Sequence, residues 1–190
     1  AIPKNKKDNK LEKIIKKKNY TCFRGSELNV LRRFYIAAKE YKADIIVRIT
    51  SDNPLTDPGL IDKIVEKLIK EKKDYTSCRL INYPLGVGAE AFTFKALEKI
   101  YHLAKSKYHK EHVTSYFSKN KKSFKISTIL GLKNYSKYRL TVDVPDDLKV
   151  IKFIFNFFKP DLSFNFKKVT KLFTRYPKIF LQNRHIIQKN

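Results

Sequence analysis

Apolar residues recur along the chain with two different periods, and the switch between them predicts the elements. Leu11, Ile14 and Ile15 repeat at helical spacing inside a lysine-rich run, predicting a short amphipathic helix. YTCF at 20–23 reads as a strand. Ser26 is placed to cap the next helix, whose apolar face is Leu28, Leu31, Phe34, Tyr35, Ala38 and Tyr41. ADIIVRIT at 43–50 is a β-branched run of the kind buried on both faces of a sheet. Asp57 before Pro58 signals an N-cap followed by proline at the first helical position, and Leu60, Ile61, Ile64, Val65, Leu68 and Ile69 continue that helix.

DYTSC at 74–78 predicts another strand, and YPLGVGAEAFTF at 83–94 a loop entering a strand. Two helices near 95–106 and 110–119 follow, then the strand FKISTIL at 124–130. YRLTVD at 138–143 reads as the last strand, and Pro145 opens a core helix through Leu148, Ile151, Ile154, Phe155 and Phe158. Positions 161–190 predict a helix with an extended tail. Helices and strands alternate throughout, which is the α/β pattern. No internal repeat or Gly/Ser linker interrupts it, so one domain over 1–190 is the economical reading.

Charge changes the picture less than its size suggests. The formal net charge is +24, and lysine supplies 34 of the 42 basic residues, spread over the whole length. Nucleic-acid binders more often cluster their basic residues and use more arginine, so no nucleic-acid partner is expected. Lysines on solvated helix faces account for the charge, although the positive field would attract a phosphorylated substrate. Cys22 and Cys78 form no CxxC pair, which points to neither a zinc site nor a disulfide framework. The most apolar stretch, VIKFIFNFF, is short and broken by Lys152, so no membrane span is expected. The N-terminus lacks the apolar stretch of a signal peptide, and a cytoplasmic location is the expectation.

Two carboxylates fall where an open α/β sheet places its active site, just past the carboxyl ends of strands. Asp52 follows ADIIVRIT, and Asp143 ends YRLTVD. Together they could hold magnesium, with triphosphate oxygens completing its shell. Equally, Asp52 could be a turn residue and Asp143 a cap for the helix behind Pro145; spacing alone leaves the two readings even. FRGSE at 23–27 is a strand-to-helix turn whose backbone N–H groups, with Arg24, suit a base or phosphate contact, and a plain helix cap explains it as well. Glu90, Glu111 and His112 are further candidates, although a lone Glu on a strand is usually exposed and a His opening a helix is usually a surface residue. The remaining histidines show no metal-ligand spacing. No G-x-S-x-G elbow, phosphate loop or dinucleotide fingerprint occurs.

FRGSELNVLRRFYIAA, ADIIVRITSDNPLTDPGLIDKIV, YPLGVGAEAF, KEHVT and YRLTVDVPDDL occur in one order along the chain. In that order they resemble the cytidylyltransferase family of the spore-coat polysaccharide biosynthesis protein F type, related to the CMP-sialic acid and CMP-KDO synthetases. RITSDNPLTDP is the most specific piece. The resemblance implies a nucleotide-diphospho-sugar-transferase-like (Rossmann-like) α/β fold, with a mixed, mostly parallel sheet flanked by helices. It implies transfer of a nucleotidyl group from CTP to a sugar or sugar acid with magnesium, releasing pyrophosphate, and by analogy a homodimer. Asp52 and Asp143 resemble the two metal-binding aspartates. Arg24, Gly25 and Ser26 resemble the nucleotide-side loop, with Arg33 nearby, and Glu90, Glu111 and His112 resemble the sugar-side wall. GTP in place of CTP, or a non-catalytic basic binding module, are the alternatives.

Three departures from the family pattern stand out. The family opens with a strand and a basic glycine-containing loop that grips the triphosphate. AIPKNKKD resembles the end of the family's second strand, which implies, with the absence of Met at position 1, that this opening segment is missing here. Asn53 stands where the family usually has cysteine. Gly88 stands where an acid often sits, which bears on sugar specificity.

Overall fold

The computed structural model describes residues 1–78 and 82–187. The elements, in chain order, are β1 (Ile2–Pro3), α1 (Asn9–Lys17), β2 (Arg24–Gly25), α2 (Val30–Glu40), β3 (Ile45–Arg48), α3 (Pro58–Lys70), β4 (Tyr75–Ser77) and β5 (Glu90–Thr93). They continue with α4 (Phe94–Leu103), α5 (Lys107–Glu111), α6 (Ser115–Lys119), β6 (Ile126–Thr128), α7 (Pro145–Phe158), α8 (Phe166–Arg175) and α9 (Pro177–Leu181). β1 and β2 pair in parallel, and the main sheet has the order β3-β5-β4-β6. This is the mixed α/β architecture the sequence implies. Among the described residues no helix is long and apolar enough to cross a membrane.

Contacts group the chain into two compact units. The first comprises 1–46, 73–75 and 92–126; the second comprises 47–72, 76–91 and 127–190. Within the first unit, Leu31, Tyr35 and Ala38 of α2 meet Leu97 and Ile100 of α4 and the aromatic rings of Phe92, Phe117 and Phe124 in one apolar cluster. Burying side chains of that size stabilises by about 1.5–3 kcal/mol each. The second unit packs α3 through Leu60, Ile64 and Leu68, and α7 through Val150, Ile151 and Ile154. Tyr138 stacks on Phe173 of α8 with ring centroids 3.8 Å apart.

Asp57 shows how local sequence becomes architecture. Its Oδ1 accepts the Leu60 N–H at 2.9 Å, capping α3 as its position before Pro58 predicts. Its Oδ2 accepts the Phe166 N–H at 2.6 Å, so the same carboxylate also anchors the start of α8, 109 residues later.

Several predicted elements take another form. YTCF at 20–23 is extended without being a strand, and pairing begins only at Arg24. Asn29, not Ser26, caps α2, its Oδ1 accepting the Arg32 N–H at 2.8 Å while Ser26 Oγ accepts the Asn29 N–H. β3 is half-buried throughout because it lies at an edge of the sheet rather than inside it. The two helices after β5 are three, since Ser106 recaps the chain as α5 and the turn at 112–114 separates α5 from α6. YRLTVD forms one isolated parallel bridge, Leu85 with Arg139, instead of a strand. The closing segment contains two helices, and the last residues of its predicted tail, 188–190, lie outside the described residues.

Candidate functional site

The second unit contains a cavity of about 180 Å³ whose lining includes Arg48, Thr50, Asp52, Asn53, Cys78, Gly86, Gly88, Glu90 and Thr141. Arg48 ends β3, and the turn that follows it brings Thr50, Asp52 and Asn53 to the cavity. Asn53 closes the turn after β3: its amide donates to Thr50 Oγ1 at 2.8 Å and its N–H to Thr50 O at 3.1 Å. The Asp52 carbonyl is held by the Val142 N–H at 2.8 Å and by Thr141 Oγ1 at 3.2 Å. The backbone at Asp52 is therefore fixed from both sides.

Its carboxylate is not. Asp52 Oδ1 is buried and has no hydrogen-bond partner among the described residues. Leaving a buried acceptor unsatisfied costs roughly 1–3 kcal/mol, more for a charged one. A hard cation would remove that cost, and magnesium typically takes one or two carboxylates with the remaining positions filled by phosphate oxygens and water. Among the described residues no cluster of three or more His, Cys, Asp or Glu side chains occurs. The donor set at Asp52 thus fits a cation that shares its shell with a phosphorylated substrate.

Glu90 is buried, with 5% of its surface exposed, and Arg48 Nη1 donates to its Oε2 at 2.8 Å. A lone strand glutamate is usually exposed; this one is held inside by an arginine the sequence reading did not single out. Cys78 also faces the cavity, and burial pushes its thiol up to about 11, so it stays protonated and inert. Gly86 has φ +97°, and a Cβ there would lie 2.3 Å from the Leu140 carbonyl carbon. Only glycine lets this lip approach the 139–141 segment so closely.

Asp143 follows one residue after Val142 but does not line the cavity. Arg139 Nη2 donates to its Oδ2 at 2.5 Å. Arg139 also donates through Nε and Nη2 to Asp147, at 2.8 and 2.9 Å, and the N–H groups of Asp143 and Val144 donate to Asp147 Oδ2. It is Asp147, then, and not Asp143, that satisfies the start of α7. Burial opposes the charge on Asp147, yet the hydrogen bonds from Arg139, the Asp143 N–H and Asn183 outweigh it and hold the carboxyl below its usual range.

The first unit holds the other candidates. A hollow of about 430 Å³ is lined by Lys4, Phe23, Arg24, Gly25, Ser26, Glu27, Arg32, Arg33 and Ile36. Arg24 is spent on its own chain, donating to Glu12 at 2.6 Å, Asn9 at 2.7 Å, the Pro3 carbonyl and the Asn5 carbonyl. Arg33 Nη1 donates to the Ser26 carbonyl at 2.6 Å, while its buried Nε has no partner among the described residues. Burial lowers the Arg33 pKa, against the pull of Asp8 and Glu27. A Cβ on Gly25 would sit 2.9 Å from both Arg33 Cγ and a Phe23 ring carbon. Of the loop candidates, Arg24 has four of its five N–H groups taken, while Arg33 has its buried Nε unpartnered among the described residues. Glu111 ends α5 and His112 is its C-cap, not the opening of a helix; both are exposed and neither lines the hollow or the cavity.

A cavity just past the carboxyl end of a strand in a mixed α/β sheet, with a buried aspartate oxygen facing it, lies where such sheets bind their ligands. The cytidylyltransferase family matches residues 4–186, and the chain belongs to that family. It is 32% identical over 151 residues to the spore coat polysaccharide biosynthesis protein SpsF of Bacillus subtilis, covering 78% of this chain and 62% of that protein. An uncharacterized protein of Methanocaldococcus jannaschii is 47% identical over 148 residues, covering 76% of this chain and 60% of that protein. The chain thus spans about 60% of the length of these curated relatives. The structure of a cytidylyltransferase from Leptospira borgpetersenii serovar Hardjo-bovis superposes with a TM-score of 0.92 at 30% identity, covering 98% of this chain and 79% of that one. Molybdopterin-guanine dinucleotide biosynthesis protein A of Archaeoglobus fulgidus, at 15% identity and a TM-score of 0.51 over 82% of this chain and 77% of its own, shares the fold alone.

Proposed function

We propose that the protein is a cytidylyltransferase that joins CMP to a sugar or sugar acid for polysaccharide or glycan synthesis and releases pyrophosphate. One observation carries this reading beyond family membership: the buried Oδ1 of Asp52, without a hydrogen-bond partner among the described residues, at a cavity that also presents Arg48, Thr50, Asn53, Glu90 and Thr141. A magnesium ion held by Asp52 would stabilise charge on the transferred phosphate and the departing pyrophosphate; Asp143, paired with Arg139 outside the cavity, is not assigned to its shell. Arg48 and Glu90, locked to each other, offer donor and acceptor atoms that orient sugar hydroxyls by fixed geometry. The protonated Cys78 contributes no competing nucleophile. Arg33, with its buried Nε unpartnered, is the residue of the first unit best placed to meet the nucleotide.

The test is pyrophosphate release by the intact protein from CTP, GTP, UTP and ATP with magnesium and a panel of sugars and nonulosonic acids. Release with CTP and one sugar class is the expected result. Release only with GTP would move the assignment to another nucleotide. No release from any nucleotide, with retention on heparin that falls steeply with salt, would replace the enzyme by a basic binding module.

A further inference from the structure

One stretch of the cavity wall is left unused by the proposed chemistry. Cys78 directly follows β4, Gly88 and Ala89 directly precede β5, and β4 and β5 are neighbours in the sheet. These three residues line the cavity together with Pro84 and Leu85. Leu85 and Gly88 are half-buried and so the most accessible of the five, while Cys78, with none of its surface exposed, backs the wall. The Cys78 thiol donates to the Ala89 carbonyl at 3.8 Å, and a buried, protonated cysteine behaves as a small hydrophobe. Among the described residues this stretch offers apolar atoms and no charged side chain, whereas Arg48, Asp52 and Glu90 line the same cavity elsewhere. The wall is also fixed in place, because the Leu85 carbonyl accepts the Leu140 N–H at 2.7 Å.

We propose that this wall takes a methyl group of the sugar, a deoxy carbon or the methyl of an acylamino substituent, and that Leu85 and Gly88 select it. The proposal rests on the reading of the cavity as the sugar side of the site. At about 180 Å³ the cavity is smaller than the roughly 300–1,000 Å³ of sites that enclose a whole ligand, so it admits one end of a substrate. A hydroxyl pressed against apolar atoms loses its water without gaining a bond, a loss a methyl does not suffer. Space, not conformation, keeps glycine at 88: Gly86 has a positive φ and Gly88 does not, but a Cβ at 88 would lie 2.9 Å from Cys78 Sγ. The sulfur behind the wall thereby sets its depth.

The experiment is saturation-transfer NMR on the intact protein, with CTP and magnesium present and two matched pairs of probes. L-fucose and L-galactose differ only in a methyl against a hydroxymethyl group, and N-acetylmannosamine and N-formylmannosamine only in an acyl methyl. In at least one pair the methyl-bearing sugar should bind about tenfold more tightly, with the strongest saturation on its methyl protons. The pair that shows this tells which kind of methyl is taken. Leu85→Ser should erase the tenfold difference; if that variant does not fold, Gly88→Ala takes its place with the same expectation. Val169→Ala, which truncates a buried side chain of α8 and lowers stability, should leave the difference intact. Equal affinities in both pairs, saturation centred on ring protons, a difference that survives Leu85→Ser, or no binding by either methyl-bearing sugar overturns the proposal. Pyrophosphate release keeps the two readings apart. Release with CTP and a sugar, without any methyl preference in binding, removes this proposal alone; a methyl preference without release removes the enzyme reading and leaves the wall as a sugar contact.

Discussion

The turn after β3 and the start of α7 both bury aspartate oxygens, and they treat them in opposite ways. Asp147, with no exposed surface, receives hydrogen bonds on both oxygens from Arg139, Asn183 and two backbone N–H groups. Asp52 has its backbone fixed by Thr141 and Val142, and its Oδ1 has no partner among the described residues. Burial alone would rank Asp147 as the more unusual acid. Completing the hydrogen-bond inventory reverses the order, because a satisfied carboxylate holds the fold together while an unsatisfied one awaits a ligand.

Breaking each side should therefore give opposite signatures. Asp147→Ala leaves the buried Arg139 with its main partner gone and should cost about 3–5 kcal/mol, read from the urea midpoint. Asp52→Asn should lower turnover on the order of a hundredfold, about 2.7 kcal/mol of barrier, while the urea midpoint holds or rises. A stability loss in Asp52→Asn matching that of Asp147→Ala would erase the distinction. Asp57→Ala removes the cap of α3 and the bond to the Phe166 N–H at the start of α8, and should cost about 1–2 kcal/mol, with turnover unchanged. The smallest effect is on acidification. Because the folded pKa of Asp147 lies below its unfolded value, its contribution is full above about pH 4 and fades as pH falls through the lowered folded pKa. The stability gap between the native protein and Asp147→Ala should narrow over that acid range; a gap that widens there would contradict the assigned direction.

Much of this was legible in the residues, and the misses share a cause. Asp57-Pro58 announces α3 through local chemistry, and the helical faces of α2, α3 and α7 follow from periodicity. Arg48, Thr50 and Asp52 meet at the cavity because a turn follows β3, and the run of residues alone does not announce where the strand stops. YRLTVD has the composition of a strand, but its backbone groups are taken by Leu85, Asp52 and the Asn183 side chain rather than by a neighbouring strand. No local pattern records that. Glu90 looks exposed until Arg48, 42 residues earlier, is placed against it, and the link from Asn183 to Arg139 spans 44 residues. Arg24 reads as a phosphate contact because the turn around it fits one, yet four of its five donors go to Glu12, Asn9 and two carbonyls. Side-chain bookkeeping across long sequence separations is where reading from residues alone stops.

The most direct test of the central claim is anomalous diffraction at the manganese edge, from crystals of the protein grown with manganese and CTP. The account predicts an anomalous peak within coordination distance of Asp52 Oδ1, in contact with the triphosphate and lost in Asp52→Asn. Clear CTP density with no manganese at Asp52, or a peak that persists in the Asn variant, would contradict it.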